Sequence, residues 1–138
     1  MSALRPTSHT TTRVVLFANA LVWLPYGLLC LLRPSTLADV AALGLTSPTA
    51  IVEVQAMYGG LEVAIGVLAL WGALRPRLAK AAIWSLLWLY CGLAGGRALG
   101  LITSGDRSGY NLGAIAFELA GAATAAWVYA GLRRSDAG

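Results

Sequence analysis

Glu53, Glu62, Arg97 and Glu118 stand inside stretches that otherwise have the composition of lipid-spanning helices. An ionisable side chain in hydrocarbon is costly unless it is paired, hydrated or neutralised, so such residues point to the place where a membrane protein does its work. One arginine cannot neutralise three carboxylates. Arg97 stays charged and should hold one glutamate ionised, either Glu118 or Glu62. The other deep glutamate is then expected to carry a proton at neutral pH or to meet a bound cation. A protonated carboxyl beside an ionised one can supply a general acid and a general base. Tyr58 can donate to a developing oxyanion while Arg97 orients the base. If the chain is an enzyme, Glu62, Glu118, Arg97 and Tyr58 are therefore the candidate catalytic residues. The same groups, joined by Glu53, Gln55, Tyr26 and Tyr90, can equally form a binding site for a small lipophilic or cationic molecule.

Helices must position these groups. The chain has 138 residues, 58% hydrophobic and 12% charged, with mean hydropathy +0.71. Four apolar segments, roughly 14–32, 49–74, 81–105 and 111–132, are each about as long as the 20 residues needed to cross a ~30 Å hydrocarbon core. No alternating strand pattern appears, so the expectation is an all-α, antiparallel bundle of four transmembrane helices over residues 13–134, preceded by a disordered cytoplasmic tail over 1–12. Between the first two spans, residues 35–45 place Leu37, Val40, Ala41 and Leu45 on one face, the pattern of a short amphipathic helix on the outer surface. Ser47 and Pro48 read as the cap and first position of span two. Pro25 is expected to kink span one, and Asn19 to make a helix-packing hydrogen bond.

Depth along the bundle can be counted at 1.5 Å per residue from the basic residues at the helix ends. Glu62 lies about 20 Å, Glu118 about 22 Å and Arg97 about 26 Å from that side. Tyr58 matches Arg97, Tyr26 matches Glu62, and Gln55 and Glu53 follow at about 30 and 33 Å. Gln55, Tyr58, Gly59, Glu62 and Gly66 fall at helical steps on one stripe, with Glu53 turned away from it. Tyr90, Arg97 and Ser104 share a face of span three. The pattern predicts a polar column opening outward, floored by Glu62 and Glu118 and bridged by Arg97.

Arg5, Arg13, Arg75, Arg77, Lys80, Arg133 and Arg134 fall on one side of such a bundle, with Arg33 and Arg107 on the other. This bias predicts both termini in the cytoplasm and makes lipid headgroups, rather than nucleic acid, the partner of the net charge. Cys30 and Cys91 lie at levels about 15 Å apart and cannot pair, so packing is the role expected of both. No cluster has metal-ligand spacing, and no cofactor motif is present. Gly92, Gly96 and Gly100, at four-residue steps in span three, can let another helix backbone come close, either within the chain or in a homodimer. Three function classes therefore stay open: a ligand-binding membrane protein; a cofactor-independent acid–base enzyme of isomerase, cyclase or epoxide hydrolase type acting on a lipophilic substrate; and an interaction subunit of a membrane complex.

The stretch from Glu53 to Glu62, with Tyr58-Gly59-Gly60 between, together with Gly66, Gly96-Arg97 and Glu118, resembles the bacterial domain of unknown function 4345 family, four-helix membrane proteins distantly similar to the DoxX-like group. The likeness covers roughly residues 12–132. It implies a four-helix bundle in the bacterial inner membrane and brings no established activity with it.

Overall fold

A computed structural model of the chain describes residues 9–135. Among these residues it has five helices and no strand: α1 (His9–Leu32), α2 (Pro34–Ala41), α3 (Pro48–Leu74), α4 (Pro76–Ser104) and α5 (Gly109–Ser135). All but α2 are long and apolar enough to cross a membrane. The protein is a multi-pass membrane protein built as a four-helix bundle. Regular helix is what a bilayer demands, since each helix satisfies its own backbone groups where no water is available.

The ends of the helices follow from local chemistry. Ser47 accepts a hydrogen bond from the Ala50 amide at 3.2 Å, and Pro48 and Pro76 occupy first-turn positions where a missing N–H costs nothing. Gly105 ends α4 in the left-handed conformation at φ 69°, which a residue without Cβ adopts freely. Pro25 lies inside α1 without ending it. α1 begins at His9, ahead of the expected start at residue 13, because Thr12 is buried and packing carries the helix past Arg13. The rest of the expected tail, residues 1–8, lies outside the described residues. α2 stops short of the expected 35–45 because Ala42 turns left-handed, its N–H closing on the Ala38 carbonyl. Leu37 of α2 is buried against Cys30 and Val54, so α2 covers the joined ends of α1 and α3.

The most extensive pairings are α1 with α3 and α4 with α5, and α3 joins the two pairs. α1 and α5 meet sparingly. The core holds Leu16, Ala20 and Trp23 from α1, Ile65, Ala69 and Ala73 from α3, Ala82, Ile83 and Leu86 from α4, and Ala125 and Val128 from α5. So many small residues suit a bundle in lipid. There the helices gain little by hiding apolar surface, and association depends on close van der Waals contact.

The glycine stripe expected to mediate packing within the chain does not do so. A Cβ built on Gly92, Gly96 or Gly100 meets nothing within 4 Å. Close approach falls elsewhere. Gly27 of α1 sits against the Val63 amide nitrogen, Gly59 against the Leu31 backbone and Gly66 against the Leu24 backbone, with Cβ clearances of 2.7, 2.9 and 2.8 Å. These glycines of span three therefore face away from the bundle, while those of α1 and α3 let two backbones touch.

Candidate functional site

Within α3, residues Gln55–Gly60 form a π-helical segment. Such a turn adds a residue to the helical repeat and commonly occurs at functional sites. It lies within the stripe expected from Gln55 to Gly66. Gln55 turns toward α1, where its amide nitrogen donates to the Leu31 carbonyl at 2.9 Å, one of the carbonyls left open at a helix end. Gly59 and Gly66 serve the α1 contact. Tyr58 and Glu62 face a cavity between the four long helices.

That cavity has a volume of about 260 Å3. Each long helix contributes a polar side chain: Tyr26 from α1, Tyr58 and Glu62 from α3, Arg97 from α4, and Tyr110 and Glu118 from α5. Val22, Trp23, Leu93, Ala114 and Phe117 complete its walls. Tyr26, Tyr58, Glu62, Arg97 and Glu118 thus line one cavity.

Arg97 pairs with Glu118. Its Nε donates to Oε1 at 2.9 Å and Oε2 at 3.1 Å, and its Nη2 donates to Oε1 at 2.7 Å. A forked, charge-assisted contact of this kind fixes both distance and orientation. The Glu118 side chain is 4% exposed and that of Arg97 23%. Nη1 donates to Asn111 Oδ1 at 2.7 Å, and the guanidinium carbon lies 5.8 Å from the Tyr110 ring centre. Asn111 in turn donates to Asp106, whose carboxylate also accepts from Ser108, so the ion pair is tied to the turn between α4 and α5. The hydrogen bonds from Asn111 and Ser108 hold the Asp106 carboxyl below the usual aspartate range.

Glu62 contrasts with Glu118. It is 8% exposed, and its Oε2 is the one buried side-chain nitrogen or oxygen among the described residues without a hydrogen-bond partner. No ion pair reaches it among the described residues. Tyr26 lies beside it, in a cluster with Tyr110 and Cys30. A buried carboxylate oxygen with nothing to accept from is rare in native proteins.

Three expected site residues lie elsewhere. Glu53 is exposed and does not line the cavity. Gln55 holds α1 to α3. Tyr90 is buried, donating to Asn19 Oδ1 at 2.7 Å and accepting from Trp23 Nε1 at 3.1 Å. Asn19, which also donates to the Val15 carbonyl, makes the packing bond expected of it. Because this network joins α1 to α4 and engages the Tyr90 hydroxyl as both donor and acceptor, Tyr90→Phe should lower stability by about 1 kcal/mol, read by unfolding in mixed micelles, without changing the polar cavity. Of the cysteines, Cys30 is buried but Cys91 is exposed and does not pack.

Sequence reasoning missed Trp23, Tyr110, Asn111 and Phe117. A signal for Asn111 was present: it stands seven residues, about two turns, before Glu118 and so shares its face.

The profile of one family, described as Domain of unknown function (DUF4345), matches residues 11–129, nearly the whole bundle with Glu62, Arg97 and Glu118 inside it. The chain belongs to this family. No curated protein and no solved structure matches the chain. This DUF4345 protein therefore has to be read from its own geometry.

Proposed function

We infer that this DUF4345 protein binds a small molecule in the cavity between its four long helices, with Glu62 as the anchoring group. The unpartnered Oε2 of Glu62 carries this reading. Glu118 has its charge matched by Arg97 and its geometry fixed, as a structural pair would. Glu62 has neither, although it faces the same cavity. A residue present only to hold helices together would be satisfied by them. The cavity is walled mostly by aromatic and aliphatic side chains with a few converging polar groups, the usual make-up of a small-molecule site. The excess of Lys and Arg at the end carrying both termini supports an orientation with that end in the cytoplasm and the site toward the outer half of the bacterial inner membrane.

Native mass spectrometry of protein extracted gently from its host membrane tests this. Wild type should retain a small molecule, and Glu62→Gln should retain about ten- to hundredfold less, the loss for one charge-assisted hydrogen bond. Glu53→Gln should retain it like wild type. Equal retention by wild type and Glu62→Gln, or retention by neither at equal stability, overturns the reading.

A further inference from the structure

The polar cavity does not end at its own floor. A second hollow of about 240 Å3 continues from it toward the end carrying the termini, and Val22 and Phe117 line both. It lies between α1 and α5, the pair of helices that meet sparingly, with Tyr90 and Leu86 of α4 at its back. Val22, Phe117, Ala18, Ala120 and Thr124 along it are exposed, so it opens sideways from the bundle.

The two hollows differ in chemistry. In the lower one every polar side chain is already engaged. Asn19 donates to Val15 and accepts from Tyr90, Tyr90 accepts from Trp23, and Thr124 donates to the Ala120 carbonyl. What remains is mostly apolar surface. In the upper one Glu62 Oε2 remains open. The single guanidinium there is committed to Glu118, so Glu62 has no cation of its own. When ionised, Glu62 accepts and never donates, and its complement is then a cation bearing N–H groups.

We propose, building on the binding role of Glu62, that the ligand is a single-chain amphiphile with a primary amine head. It enters sideways from the bilayer between α1 and α5, sets its amine on Glu62 and lays its alkyl chain in the groove along Ala18 and Ala120. Val22 and Phe117 mark the passage from head to chain. From Glu118 to Thr124 the groove runs about 9 Å along α5, and from Tyr26 to Val15 about 16 Å along α1, so it takes a medium-length chain.

The test uses dodecylamine carrying a diazirine at the far end of its chain, in dioleoylphosphatidylcholine nanodiscs holding the full-length protein. After irradiation the label should fall on α1 and α5 beside Ala18 and Ala120, and excess unlabelled dodecylamine should suppress it. Glu62→Gln, nearly isosteric, should cut the labelling about tenfold. Ala18→Phe and Ala120→Phe, at exposed positions where the fold tolerates bulk, should cut it comparably while leaving Glu62-dependent retention of butylamine unchanged. Labelling that survives Glu62→Gln would mean an ordinary acyl chain in the groove and overturns the proposal. Suppression by dodecanol as strong as by dodecylamine overturns the amine head. If butylamine depends on Glu62 but the tail label misses the groove, the amphiphile proposal falls and the binding reading stands. If no amine depends on Glu62, the amphiphile proposal falls too, and the binding reading is judged by the native extract.

Discussion

Arg97→Met should cost the folded bundle about 3 kcal/mol, and Arg97→Met/Glu118→Met should restore most of it. The two halves of this expectation have the same cause. Glu118 is 4% exposed, and its carboxylate oxygens are served by the guanidinium fork. Removing the arginine alone leaves a buried carboxylate without a counter-charge, and desolvation is then uncompensated. Removing both leaves two apolar side chains of similar length facing one another, which a bundle in lipid accommodates readily. Arg97 is partly exposed, which sets the figure at the lower end of the range for buried pairs. The single substitution also strips Asn111 Oδ1 of its donor and loosens the link to the turn at Asp106. Reversible unfolding of the variants in mixed micelles reads the effect. A single variant within about 1 kcal/mol of wild type would show a pair solvated enough to be worth little. A double variant no better than the single would show that Glu118 has a further role in the folded state.

The fold and half of the site were legible in the sequence, and the reasons differ. Span lengths report directly on bilayer thickness, so four helices could be counted from composition. Depth follows from rise per residue, so similar levels for Glu62, Arg97 and Glu118 could be expected before any packing was known. Which glutamate Arg97 would choose could not be, since it depends on the rotation of α4 against α5, and depth counting carries no information about rotation. The π turn over Gln55–Gly60 is the other gap. Periodicity at 3.6 residues assumes an unbroken repeat, which the π segment interrupts between Gln55, bonded to α1, and Glu62, facing the cavity. The pair Gly59-Gly60 inside a helix was the sequence's only hint. Tyr90 misled for a simpler reason: a phenol at the right depth reads as a site residue until its hydroxyl is seen to be engaged on both sides.

Gly27→Leu should be the most damaging small change in the bundle, at about 3 kcal/mol or more, with Gly66→Leu close behind, while Gly92→Ala and Gly96→Ala should cost nothing. A Cβ at Gly27 would stand 2.7 Å from the Val63 amide nitrogen and 3.1 Å from the Glu62 carbonyl carbon, both backbone atoms that cannot swing aside. At Gly66 the nearest backbone atom, the Leu24 nitrogen, is 2.8 Å away, although the Leu24 side chain there can yield. Bulk at Gly27 can be admitted only by moving α1 off α3, and the segment it pushes is the one that carries Glu62. Gly27→Leu is therefore expected to lower both stability and any Glu62-dependent binding, whereas Tyr90→Phe should touch stability alone. The glycines of α4 stand in open space, so adding a methyl there relieves backbone freedom in a helix interior, a gain of about 0.5–1 kcal/mol. Unfolding midpoints of the four glycine variants, measured in the same micelles, separate the cases. If Gly96→Ala proved as harmful as Gly27→Leu, the outer face of α4 would have to be in contact with another chain, and the two stripes of small residues would both be interfaces, one inside the bundle and one between bundles.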